Sequence, residues 1–147
     1  MEISEIMNTE VASVKPGTTV MEAAEVLSTS QASDLMVVDD EGCFVGVLSE
    51  GDLLRAVMPH FEDVMFSCGS LSGAFQSFVE EGHALAGRTI DKLMIAEPIT
   101  VRDHNHPLRA AAAMVTHQIR RLPVLDSSGK LVGTISRADI AHAILQK

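Results

Sequence analysis

The chain has 147 residues, 46% hydrophobic and 21% charged, with a net charge of −9. That composition belongs to a packed globular protein rather than a disordered one, and the negative balance argues against a nucleic-acid surface. The apolar runs fall far short of a membrane span, the acidic start with Glu2 and Glu5 lacks a secretory pattern, and Cys43 and Cys68 read as free thiols of a cytoplasmic protein.

The first predicted element is a short strand over 11–14. A helix follows. Thr19 stands three residues before Glu22, a capping-box spacing, and Val20, Ala23, Ala24 and Leu27 supply an apolar face. A strand over 35–38, the turn Asp39-Asp40-Glu41-Gly42 and a strand over 44–48 make a hairpin. The next helix begins after Ser49, and Pro59 stops it. Within 59–89, Leu71, Ala74, Phe75, Phe78, Val79 and Leu85 are spaced for one amphipathic helix. Ser70 or Ser72 would cap it, Gly82 weakens its later part and Gly87 suits its end. Its stripe serves either to cover core or as a partner surface. A strand over 99–101 comes next, then a helix opened by Pro107, with Leu108, Ala111, Ala112 and Val115 on its apolar face. A strand over 122–125, the turn Asp126-Ser127-Ser128-Gly129 and a strand over 131–135 form a second hairpin, and a last helix begins after Ser136.

The order β-α-β-β-α therefore occurs twice. Residues 3–58 and 90–145 align without a gap at an offset of 87, and 17 of the 56 pairs are identical. Two such modules, 1–58 and 90–147, are expected to pack about a pseudo-two-fold axis as an α/β (α+β) fold with 59–89 as a helical insert. A lone unit of this size buries too little core to stand alone. Charge is unevenly divided. Residues 1–87 hold 2 basic and 15 acidic residues, net −13, while 88–147 hold 9 basic and 5 acidic residues, net +4. Complementary faces between the halves, or a local anion site in the second half, would each account for this.

Each repeat ends in Gly-x-x-Ser-x-x-Asp, as Gly46, Ser49 and Asp52 and again as Gly133, Ser136 and Asp139. Ser-x-x-Asp is a helix-capping signature first of all. The same geometry offers free N–H groups to an anion and a carboxylate to a ribose diol. Arg120 and Arg121 precede the "LPVLD" strand of the second repeat, and adjacent residues on a strand face opposite sides. One is placed to grip phosphate and the other to pair with carboxylates of the first repeat. Ser33 and Asp34 stand at the matching positions, and Asp34 would repel phosphate, so two junction sites should be chemically unequal. Asp103-His104-Asn105-His106 has metal-ligand residue types but no second ligand cluster, and turn and capping chemistry explains it better.

The duplicated unit, the "LPVLD" strand, the Asp/Gly hairpin and "LVGTISRAD" together resemble the CBS domain, whose tandem pair is the Bateman module. The resemblance implies a disc-like pair with ligand clefts between the repeats. It implies an adenosine-containing ligand: AMP, ADP, ATP or S-adenosylmethionine. Carried onto this chain, the favoured second site uses Pro98, Ile99, Thr100, Arg120, Arg121, Leu122, Pro123, Thr134, Ser136 and Asp139. The weaker first site uses Val11, Ala12, Ser13, Asp34, Leu35, Met36, Val47, Ser49 and Asp52, where Met36 replaces the proline of the strand motif and an acid replaces arginine. The expected role is a non-enzymatic regulatory sensor working as a homodimer. The alternative is an interaction module with empty clefts that binds a protein partner through 59–89. No Gly-rich phosphate loop or nucleophile–base motif suggests an enzyme.

Overall fold

A computed structural model describes residues 1–146. In the first repeat, β1 (Ser13–Val14) runs parallel to β2 (Asp34–Val38), which pairs antiparallel with β3 (Phe44–Ser49). Helix α1 (Val20–Ser30) links β1 to β2, and α2 (Glu50–Val57) follows β3. The second repeat repeats the plan with β5 (Val101–Arg102), α5 (Pro107–His117), β6 (Arg121–Leu125), β7 (Leu131–Ser136) and α6 (Arg137–Leu145). Local signals set these elements. Thr19 and Glu22 form the expected capping box on α1, and Pro107 opens α5 behind the imidazole of His106, whose Nδ1 accepts from the Leu108 N–H. The Asp103–His106 stretch thus does turn and capping work, with the Asn105 side chain accepting from the Arg102 N–H.

The pseudo-two-fold axis can be read from hydrogen bonds that the offset exchanges. The Phe44 N–H donates to the Gly129 carbonyl at 3.2 Å, and the Leu131 N–H to the Gly42 carbonyl at 3.1 Å. The two hairpin turns therefore pair directly with each other, joined by a bridge between Cys43 and Lys130.

The repeats also trade their first residues. The Ile3 N–H donates to the Asn105 carbonyl and the Ile90 N–H to the Thr18 carbonyl, both at 2.9 Å. Ile3 is fully buried with Val101, Ala110, Met114, Leu122, Val124, Ile135 and Ile140 of the second repeat. Ile90 is fully buried with Val20, Ala23, Leu27, Leu35, Val37 and Leu48 of the first. The edge of each sheet is completed in the same crossed way. β4 (Ile95–Ala96) pairs with β3, and Asn8 exchanges both backbone bonds with Thr134 on β7, at 2.8 and 2.9 Å. Glycine is required where these segments pass. A Cβ on Gly133 would lie 2.8 Å from the Asn8 carbonyl oxygen, and one on Gly46 would lie 2.8 Å from that of Ile95.

The segment between the repeats holds two helices, not one: α3 (Phe61–Cys68) and α4 (Leu71–Leu85). Helix α3 escapes the sequence reading because it starts from His60 in the left-handed region, without a side-chain cap. Its Phe61 ring stacks on Phe78 of α4 with centroids 6.1 Å apart. Helix α4 is capped by Ser70 and runs through Gly82, whose propensity cost of about 1 kcal/mol is outweighed by the burial of Ala74 and Phe78. The end of this segment is tied to the first repeat. The carbonyls of Arg88 and Ala86 accept from the Val20 and Met21 N–H groups, donors that a helix N-terminus otherwise leaves unpaired.

Candidate ligand cleft at the repeat junction

Alternation along each strand decides which side chains reach the junction. Leu35 and Val37 of β2, and Leu122 and Val124 of β6, turn toward their own helices. Asp34 and Met36, and Arg121 and Pro123, lie on the opposite face. A cleft of about 600 Å³ opens there, within the range of small-molecule sites. Val11, Ala12, Asp34 and Met36 from the first repeat wall it together with Arg121 and Thr134 from the second. Residues assigned to two separate sites thus meet in one cleft.

The remaining sequence-derived candidates lie elsewhere. Ser13 pairs with Met36 across β1 and β2, and Val47 stands opposite Met36 on β3. Leu35 and Leu122 are core residues behind the sheets. Pro123 is buried opposite Thr134. Pro98, Ile99 and Thr100 form the irregular lead-in to β5, with Ile99 exposed. Arg120 is exposed ahead of β6, and its carbonyl accepts from the Arg137 N–H at 3.2 Å.

Ser49 and Asp52, and Ser136 and Asp139, form the two capping boxes of α2 and α6. The serine hydroxyls accept from the Asp N–H groups at 3.0 and 3.1 Å, and the carboxylates accept from the Ser N–H groups at 3.1 and 2.8 Å. The two aspartates differ in their second oxygen. Asp52 Oδ1 is taken by Arg55 Nη2 at 2.6 Å, whereas among the described residues Asp139 is bonded only through Oδ2.

Arg121 donates from Nη1 to the Thr134 hydroxyl at 2.9 Å. The expected pairing of Arg120 or Arg121 with a first-repeat carboxylate is not made: among the described residues neither lies within 4.0 Å of one. The reason is the short reach of Arg121 onto its own sheet and the position of Arg120 outside it. Burial pushes the Asp34 carboxyl above the ordinary carboxylate range; Arg121 opposes that shift and Glu50 reinforces it. In the hairpin, the Ser128 hydroxyl and the Lys130 N–H hold the Asp126 carboxyl below its usual range.

Sequence reasoning missed Asn8, Glu10 and residues 30–32, which also line the cleft. The one signal pointing to Asn8 is Gly133, a glycine where another backbone must pass.

The family model of the CBS domain matches residues 3–59 and again 90–146. The chain belongs to the CBS domain family. It is a tandem CBS pair, and its relatives are similar in sequence and fold. The CBS domain-containing proteins CBSX2 and CBSX1, both chloroplastic and from Arabidopsis thaliana, are 32% identical over 138 residues and 34% over 141. Each match covers 90% of this chain and 58% of the relative, so the pair spans a little over half of those proteins. The solved structure of CBSX2 in complex with AMP matches with a TM-score of 0.75 at 31% identity, over 99% of this chain and 96% of that one. The CBS pair of MJ0100, solved with 5′-methylthioadenosine and S-adenosyl-L-methionine, shares the fold of this CBS pair at a TM-score of 0.71 and 20% identity, over 99% and 97% of the two chains. No described helix of this pair is long and apolar enough to cross a membrane.

Proposed function

We propose that this CBS pair is a non-catalytic regulatory module that senses an adenosine-containing ligand: AMP, ADP, ATP or S-adenosylmethionine. The observation carrying this reading is the 600 Å³ cleft walled by both repeats. A ligand there touches two bodies at once, and so favours whichever relative arrangement grips it. The AMP bound by CBSX2, a protein 31% identical over nearly all of this chain, supports the ligand class. We assign phosphate-bearing ligands to the second-repeat residues outside that cleft, where Arg120 is exposed and, among the described residues, Asp139 keeps one oxygen clear of hydrogen-bond partners. The unpaired oxygen is the one a ribose diol would use.

A thermal-shift series with these four compounds tests the reading. A ligand at a hundredfold excess over its dissociation constant adds about 2.7 kcal/mol, which is about 8 °C in a domain of this size. An unmoved melting temperature with all of them rejects it. The interaction module would then take its place, with Phe66 (91% exposed) and Phe75 (70%) on the inter-repeat helices as its working surface.

We also infer a homodimer. Met21 and Leu54 leave an apolar strip exposed on α1 and α2, and Leu108 and Ile144 leave another on α5 and α6. Light scattering is expected to give twice the 15.7 kDa chain mass, falling to that mass in Leu54→Glu combined with Leu108→Glu. A monomeric wild type rules this out.

A further inference from the structure

Three charges line the junction cleft, and two of them are negative. Asp34 and Glu10 stand on its wall with Arg121 as the one cation there among the described residues. Arg121 already gives Nη1 to the Thr134 hydroxyl. Lys15 of the first repeat is not on this wall and is bound 2.8 Å from Asp40 on the hairpin turn. Asp34 is half-buried, and no cationic side chain lies within 4.0 Å of it among the described residues. Glu50, at the start of α2, adds a third negative charge close enough to act on it.

A 5′-phosphate brings roughly −1.5 to −2 charges at neutral pH. In a partly desolvated cleft, like charges repel more strongly than in water. The rest of the wall offers neutral hydrogen-bonding groups in Ser30, Gln31 and Ser33, which suit hydroxyls and amides.

We propose that Asp34 sets the ligand specificity of this cleft, which accepts an adenosine whose 5′ substituent is neutral or positively charged and turns away a 5′-phosphate. The proposal rests on the adenosine reading above and narrows it for this one cleft. Asp34 and Arg121 occupy equivalent positions in the two repeats, since 34 and 121 differ by the repeat offset. Both line this one cleft, so its discrimination comes from the acid that the first repeat places where the second has arginine. Burial raises the Asp34 carboxyl above its ordinary range, with Arg121 opposing and Glu50 adding to the shift. A ligand ammonium would supply it with a close cationic partner.

Met36 lines the cleft, so its ε-methyl group reports occupancy of this site alone. The full chain, labelled on methionine methyls and assigned with Met36→Leu, is titrated separately with adenosine and with AMP. Adenosine is expected to move the Met36 resonance at a concentration at least tenfold lower than AMP does. In Asp34→Asn the ratio of AMP affinity to adenosine affinity rises about tenfold. If AMP matches adenosine in the wild type, or if the ratio stays put in Asp34→Asn, the proposal is overturned while the adenosine reading stands. If neither compound moves the Met36 signal or the melting temperature, the adenosine reading falls and takes the proposal with it.

Discussion

Ile3→Ala is expected to lower stability by about 3 kcal/mol, a fall of about 10 °C in melting temperature for a domain of this size. Ile3 is 0% exposed, and its neighbours Met114, Leu122 and Ile135 belong to the second repeat. Removing three carbons leaves a hole that the packed helices and sheet close only in part. The damage should fall far away in sequence. Hydrogen exchange is expected to accelerate in β6 and β7, with β2 and β3 less affected. Ile90→Ala should give the mirror result, since Ile90 is likewise 0% exposed within the first repeat's core. Gly133→Ala attacks the same crossing from the other side, because its methyl would sit 2.8 Å from both the Asn8 oxygen and the Met7 sulfur. Loss of protection in β2 and β3 on Ile3→Ala would contradict the crossed packing.

The second large effect concerns binding. Asp139→Ala is expected to weaken AMP binding at least a hundredfold while costing only about 1 kcal/mol of cap stability. A carboxylate that accepts two hydrogen bonds from a ribose diol supplies about 1.5–3 kcal/mol through each, and every 1.4 kcal/mol is a factor of ten. The capping box accounts for one oxygen of Asp139 and, among the described residues, leaves the other without a partner. Asp52→Ala should weaken AMP binding far less, because Arg55 already holds the matching oxygen. Calorimetry on the two variants, with circular dichroism to confirm folding, separates ribose recognition from capping. Equal AMP affinity in wild type and Asp139→Ala would leave Asp139 a helix cap and nothing more.

These two residues mark the boundary of what the sequence makes legible. The hairpins, the caps at Thr19, Ser49 and Ser136, and the doubled β-α-β-β-α order are local, and local chemistry is written in neighbouring residues. The family follows from the same patterns. The crossed packing of Ile3 and Ile90 leaves no such mark. An isoleucine at the head of a repeat fits its own core or its twin's equally well, and only the close approach at Gly46 and Gly133 hints at the choice. Helix α3 is hidden for a related reason, since a left-handed His60 replaces the usual side-chain cap. The cleft is half legible. Val11, Ala12, Asp34 and Met36 follow from repeat one, but Arg121 and Thr134 join them only through the arrangement of the sheets. Strand alternation separated the core residues Leu35 and Leu122 from that face, a distinction that copying a motif residue by residue does not make.

The exchange of leading segments also bears on how such a pair arises. Two separate copies of one half-length chain would make the same trade with each other, each arm lodging in a twin, but only as often as they met. Joining them end to end turns that encounter into an internal event at a high effective concentration. After such a fusion, the two arms and the two crevices no longer have to stay alike. Asp34 facing Arg121 across the axis is the kind of asymmetry that a dimer of identical subunits could never encode.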